Sequence, residues 1–190
     1  RDLDIVNMVD SDSKQTSMYL AAMLSDPEIG LEISRHLLDY GGKVNHLDNY
    51  KQTCLYYICR DGKLKLFNLH VSKGANINHS DEYAQTPLFY AAREGRANVV
   101  ERMIELGAEV NKLDKNEQTC LFYAAREGKF ETCKLLIEKG ANVNHADKVK
   151  QTALYFAKKA KHKNVIDLLV ENGAVNTKSG KLVKKNPRKG

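Results

Sequence analysis

The dipeptide Gln-Thr occurs at 15–16, 52–53, 85–86, 118–119 and 151–152; the last three spacings are 33 residues and the first is 37. The segments that follow read QTSMYLAAM, QTCLYYICR, QTPLFYAAR, QTCLFYAAR and QTALYFAKK. Each leads to a glycine turn and a Val-Asn or Ile-Asn pair, ending at Asn45, Asn78, Asn111, Asn144 and Asn176. A repeat at this period is the mark of a chain built from similar units that bury their apolar faces against their neighbours.

Each unit has its own start and stop signals. Thr16, Thr53, Thr86, Thr119 and Thr152 stand where a helix should begin, and a hydroxyl there can accept an orphan amide, worth about 1 kcal/mol. Pro87 suits a first helical turn, where its missing N–H costs nothing. Leu88, Ala91 and Ala92 give an apolar face at helical spacing. Gly62, Gly95 and Gly128 are placed to end this helix. A second helix follows, for example through Val99, Val100, Met103, Ile104 and Leu106, and Gly107 stops it. The four extra residues of the first unit fall near Ser25-Asp26-Pro27-Glu28 and predict a longer loop between its helices, with a lineage-specific contact surface as the sharper alternative. Ser25 or Asp26 would cap the second helix, with Glu28 closing a capping box if the cap is Ser25.

Thr86-Pro87-Leu88-Phe89-Tyr90-Ala91-Ala92 resembles the ankyrin signature T-P-L-H-x-A, with Phe89 in place of its His. The resemblance covers roughly residues 4–176 and implies an all-α solenoid of helix-turn-helix units joined by short β-hairpin-like turns. Five repeats are expected in 15–176, at about 10–47, 48–80, 81–113, 114–146 and 147–176. Residues 1–14 read as the end of a preceding unit or an N-terminal cap, because Val6-Asn7-Met8-Val9-Asp10 matches Val110-Asn111-Lys112-Leu113-Asp114. A first residue Arg1 in place of Met reads as a piece of a longer protein. Lys158 and Lys161 replace the Ala and Gly of earlier copies. Lysines are costly on a covered face, so the fifth repeat reads as a C-terminal cap with a wet outer side. Residues 177–190 are expected to be a flexible basic tail.

The net charge of +6 comes from that tail, which carries Lys178, Lys181, Lys184, Lys185, Arg188 and Lys189 and no acid. Residues 1–176 are formally neutral, which removes the charge argument for nucleic-acid binding by the body. No apolar run approaches the roughly 18 residues of a membrane span. Cys54, Cys59, Cys120 and Cys133 form neither a C-x-x-C pair nor a disulfide framework. Free thiols point to an intracellular protein, cytoplasmic or nuclear. No nucleophile elbow, phosphate loop or H-E-x-x-H motif is present. An enzyme is therefore not expected, nor a cofactor or a metal. His46, His79 and His145 share one repeat position. Stacked helices stand roughly 8–10 Å apart, so these side chains would step along the solenoid, bonding within hairpins, and not converge on an ion.

Nine aromatics follow the Thr positions: Tyr19, Tyr56, Tyr57, Phe89, Tyr90, Phe122, Tyr123, Tyr155 and Phe156. Their recurrence predicts packing between repeats in preference to a cation cage. Ankyrin domains can be hydroxylated at the position of Asn45, Asn78, Asn111 and Asn144; local bracing of the turn is the simpler expectation.

The resemblance also implies a concave face lined by hairpin tips and first-helix ends. On this sequence the tips are Asn49, Tyr50, Glu82, Tyr83, Lys115, Asn116, Lys148 and Val149. The helix ends are Arg60, Arg93, Arg126 and Lys159, a basic column beside the acidic column Asp61, Glu94 and Glu127. These charges form either a self-satisfied row of ion pairs or a track that fixes a partner's register. Tyr50 and Tyr83 lie outside the packing pattern and are the best anchor candidates. The expected function is a monomeric interaction module or scaffold that binds a protein or peptide, favouring an acidic segment toward its C-terminal end. Two rivals use other residues. A chromatin reader would take a basic histone-like tail on the acidic column. A tether would hold nucleic acid or an anionic membrane through the tail.

Overall fold

The computed structural model of the protein describes residues 3–175, and the backbone of 177–178 and 181–182. A short helix, α1 (Leu3–Val6), precedes five helix pairs. The first helices are α2 (Ser17–Met23), α4 (Cys54–Asp61), α6 (Pro87–Glu94), α8 (Cys120–Arg126) and α10 (Ala153–Ala160). Their partners are α3 (Pro27–Asp39), α5 (Leu64–Ser72), α7 (Ala97–Glu105), α9 (Phe130–Glu138) and α11 (Lys163–Glu171). First helices pack on first helices and second on second along the stack, which is the all-α solenoid expected. Strands β1 (Thr177–Lys178) and β2 (Lys181–Leu182) pair antiparallel. Lys178 and Lys181 face each other in that register. Lys184, Lys185, Arg188 and Lys189 lie outside the described residues.

Three local expectations need correction. The first concerns the Thr hydroxyls. Thr16, Thr53, Thr86 and Thr119 start their helices from extended backbone but make no side-chain cap. Their carbonyls take the amide three residues on, as in Tyr19 N to Thr16 O at 3.0 Å and Phe122 N to Thr119 O at 3.0 Å. That tight first turn consumes the N–H the hydroxyl would have bonded. Only in the fifth repeat does Tyr155 N turn to the Thr152 hydroxyl, at 3.3 Å.

The second concerns the insertion. α3 has 13 residues where α5, α7, α9 and α11 have 9, so the four extra residues lengthen a helix and not a loop. Its cap is Asp26, which accepts from Glu28 N at 2.9 Å and Ile29 N at 3.2 Å, with Pro27 in the first turn. No box with Ser25 and Glu28 forms.

The third concerns the asparagines, whose bonds are not local. Asn45 Nδ2 donates to Gly74 O at 2.9 Å while its Oδ1 accepts from Asn76 N at 2.9 Å. Asn78, Asn111 and Asn144 repeat this pair of bonds on Gly107, Gly140 and Gly173. Asn7 does the same to Gly41 and Lys43. Each clamp therefore fastens one repeat to the next.

The glycines ending first helices are needed twice over. Gly62, Gly95 and Gly128 have φ near +70°, and a Cβ there would stand 2.8, 2.8 and 2.6 Å from Arg96, Lys129 and His162 of the following repeat. Those following residues lie across the helix ends. Arg96 Nε donates to Arg60 O at 2.9 Å, and His162 Nε2 lies 3.0 Å from Arg126 O, where the helix dipole favours a donor. In the fifth repeat Lys161 adopts the same left-handed backbone, with φ 63°.

Candidate partner-binding surface

The hairpins that carry the tips are organised from inside by a recurring aspartate. Asp48, Asp81, Asp114 and Asp147 are buried. Oδ1 of Asp81 accepts from Tyr83 N at 2.8 Å and Gln85 N at 3.0 Å, which holds the turn closed. Its Oδ2 accepts from Tyr90 Oη at 2.9 Å and from Gln52 Nε2 of the preceding repeat at 2.8 Å; Gln52 also donates to Tyr90 Oη at 2.6 Å. Gln15, Asp48 and Tyr57 form the same triangle one repeat earlier, and Gln85, Asp114 and Tyr123 one repeat later. A buried carboxylate is tolerated because every lone pair in use meets a donor. Burial and the facing Asp48 push the Tyr57 phenol up to about 12, so it stays a donor.

The tips are joined by backbone bonds. Asn49 N donates to Ser13 O, Glu82 N to Tyr50 O, Lys115 N to Tyr83 O and Lys148 N to Asn116 O, at 2.9–3.2 Å. His46, His79 and His145 add Nε2 contacts of 2.7–2.8 Å to Lys14 O, Lys51 O and Glu117 O of the preceding hairpin. The result is a continuous edge on which Tyr50 is 54% exposed, Tyr83 49% and Val149 69%. Asn49, Lys115, Asn116 and Lys148 are exposed beside them, and Glu82 is half-buried. Glu82 raises the Tyr83 phenol above its ordinary value by hydrogen bonding and by its charge.

The same tyrosines that bond the aspartates carry the arginines on their outer faces. Arg60 stacks over Tyr57 at 5.3 Å, Arg93 over Tyr90 at 4.8 Å and Arg126 over Tyr123 at 4.8 Å. Each guanidinium Nε also meets the next residue's carboxylate: Arg60 to Asp61 at 2.8 Å, Arg93 to Glu94 at 3.3 Å and Arg126 to Glu127 at 3.1 Å. The two columns read from the sequence are thus one column of adjacent ion pairs. Burial works against the Asp61 carboxylate, but hydrogen bonds and charge from Arg60 and Lys63 outweigh it and hold its pKa below the usual range. Lys159 is exposed, is followed by Ala160, and has Phe156 where the second, third and fourth repeats have tyrosine.

The aromatic column packs across the joints, edge to face, as in Tyr56 on Tyr90 at 5.3 Å and Phe89 on Tyr123 at 5.8 Å. All four cysteines are free and buried. Among the described residues no cluster of His, Cys, Asp and Glu suits a metal ion, and no helix is long and apolar enough to cross a membrane.

Two features escaped the sequence reading. The Asp–Tyr–Gln triangle had a signal, since Asp-x-x-x-Gln-Thr recurs in the last four units. The pair Cys54–His70 had none: Cys54 Sγ lies 3.4 Å from His70 Nδ1 in the core, and burial pulls the imidazole down to about 4. It is neutral and enclosed, so it fills space without nucleophilic chemistry.

The sequence model described as "Ankyrin repeats (3 copies)" matches residues 18–114 and 98–180. The chain belongs to the ankyrin-repeat family. No curated protein matches it. Ankyrin repeats are general protein-interaction modules, a fold that acts by binding and not by chemistry. In this ankyrin array Tyr50 and Tyr83 are exposed at the tips, and Arg60, Arg93 and Arg126 lie on the outer faces of the tyrosines.

Proposed function

We propose that this ankyrin array is an intracellular, monomeric recognition module or scaffold. It binds an acidic, extended segment of a partner protein along Tyr50, Tyr83, Lys115 and Lys148 at the tips and Arg60, Arg93, Arg126 and Lys159 at the helix ends. Asn49, Glu82 and Asn116 complete the tip edge. One observation carries this reading. Among the described residues each of the three guanidiniums is fixed by a tyrosine face and by one bond at Nε, so its outer amino groups are presented with little rotamer entropy left to lose. A histone-like tail is less favoured, because Asp61, Glu94 and Glu127 already hold an arginine each.

Binding of labelled Glu-rich and Lys-rich peptides to the full chain tests the choice. Tyr83→Ala with Arg93→Gln and Arg126→Gln is expected to weaken the Glu-rich peptide by about tenfold or more, equivalent to about 1.4 kcal/mol. Raised salt should weaken it further. Preference for the Lys-rich peptide, lost on Glu94→Lys, would establish the chromatin-reader alternative. Binding of nucleic acid or anionic vesicles that survives the triple substitution and disappears on truncation after Asn176 would assign recognition to the tail.

A further inference from the structure

We infer that the partner segment lies along the arginine column as a polyproline II strand with an acidic residue at every third position, one for each of Arg60, Arg93 and Arg126. The inference rests on the proposed reading of that column as the binding site and adds the partner's spacing and conformation. The three rungs are alike. Arg60, Arg93 and Arg126 stand 33 residues apart, at one position of the first helices α4, α6 and α8. Each guanidinium lies 4.8–5.3 Å from a tyrosine ring and is tied at Nε, over 2.8–3.3 Å, to the carboxylate that follows it. Groups held alike on stacked helices repeat at the stacking distance, roughly 8–10 Å.

Net charge does not select the partner here. The three guanidiniums are balanced along the column by Asp61, Glu94 and Glu127. At the tips of the second to fifth repeats Lys51, Lys115, Lys148 and Lys150 stand against Glu82 and Glu117. Position is what selects. Each carboxylate takes the Nε side of its own guanidinium, and Glu94 also adds its field to Arg60 of the preceding repeat. An acid spaced to meet the outer amino groups of successive arginines is attracted. An acid set between two rungs meets a carboxylate and is repelled.

One backbone meets that spacing directly. Three residues of polyproline II advance about 9 Å and complete one turn, so every third side chain returns to the same face. A β-strand turns its third side chain to the opposite face. A strand also needs an edge to pair with, and the tip amides of Asn49, Glu82, Lys115 and Lys148 already donate to the preceding tip's carbonyls at 2.9–3.2 Å. Polyproline II makes no ladder bonds and docks against exposed aromatics, which Tyr50 and Tyr83 supply on the tip edge. An α-helix takes about seven residues for a similar advance, a difference that peptides can separate.

The test is anisotropy titration of the full chain with four labelled synthetic peptides. The first carries three glutamates in about 9 residues, at every third position, with prolines between. The second has the same composition with the glutamates adjacent. The third is an unbroken run of glutamates, and the fourth an alanine-rich helix with glutamate at every seventh position. The first is expected to bind about tenfold more tightly than the second, and more tightly than the more highly charged run. Changing its middle glutamate to glutamine should weaken binding to the wild type about tenfold and binding to Arg93→Gln little, because that pair is already broken there. Equal or tighter binding of the second, third or fourth peptide, or independent effects of the two substitutions, would overturn the spacing and leave an acidic partner in place. Failure of every acidic peptide to bind, or binding unchanged by Tyr83→Ala with Arg93→Gln and Arg126→Gln, would remove the proposed site itself.

Discussion

The joint between the second and third repeats and the joint between the fourth and fifth are built from the same plan, and three of the differences between them bear on the arginine column. In the earlier joint Tyr90 bonds Asp81 and Gln52 with its hydroxyl and holds Arg93 on its ring. In the later one Phe156 has no hydroxyl, Gln118 bonds Asp147 directly at 2.8 Å, and Lys159 stands where arginine stood. Gly95 is pressed by Lys129 of the next repeat, whereas Lys161 occupies the equivalent turn of the last. The difference teaches that the buried carboxylate and the surface cation are one unit joined through a phenol. Where the phenol is lost the rigid cation is lost too, so the arginine column is ordered only as far as Tyr123 reaches.

The largest effect should come from removing the carboxylate. Asp81→Ala strands two turn amides, a glutamine and a phenol, and is expected to lower unfolding stability by about 3 kcal/mol in urea titrations. Asp147→Ala strands one partner fewer and should cost measurably less. Equal losses would break the comparison, since the phenol would then contribute nothing.

A second contrast lies in the core. His70 takes the place of Met103, Leu136 and Leu169 of the later repeats. Its folded pKa of about 4 lies below the unfolded value near 6.5. The neutral ring is what the fold stabilises, so stability is full above pH 6.5 and falls as the unfolded chain takes up the proton, down to pH 4. That difference corresponds to about 3 kcal/mol. Acid denaturation should show His70→Leu spared about this much of the wild-type loss between pH 7 and 4. Parallel curves for the two proteins would place His70 outside the acid response.

The smallest effect sharpens the comparison by exchange. Tyr90→Phe should destabilise by about 1 kcal/mol, and Phe156→Tyr should stabilise by a similar amount by giving Asp147 its missing donor. Adding Lys159→Arg to Phe156→Tyr should extend the column by one rung, read as tighter binding of the Glu-rich peptide with no change in the unbound stability beyond the Tyr.

Much of the fold was legible because it is local. The Gln-Thr spacing located all five first helices, and Gly62, Gly95 and Gly128 marked their ends. Spacing fails where a side chain has two possible partners at different sequence distance. Asn45 was expected to brace its own turn, but its amide and carbonyl span to Gly74 and Asn76, since stacking brings that turn as near as its own. The arginines and acids left two readings open, a row of ion pairs or a track for a partner, because a linear sequence gives no direction to a side chain. Stacking on tyrosine turns Arg93 toward Glu94, and the two columns become pairs. The insertion was assigned to a loop because its four extra residues fall near Ser25-Asp26-Pro27-Glu28, between the two helices. Proline at a first turn starts a helix as readily as it breaks one, and Asp26 capped it.

The sequence by itself determined the repeat, its helices and its family, because these follow from periodicity, propensity and turn chemistry within 33 residues. Only the stacked structure decided which polar atoms are shared between repeats and how Tyr90 couples Asp81 to Arg93. Those outcomes depend on contacts across the joints, where burial makes each unpaired group costly and so selects one partner among several.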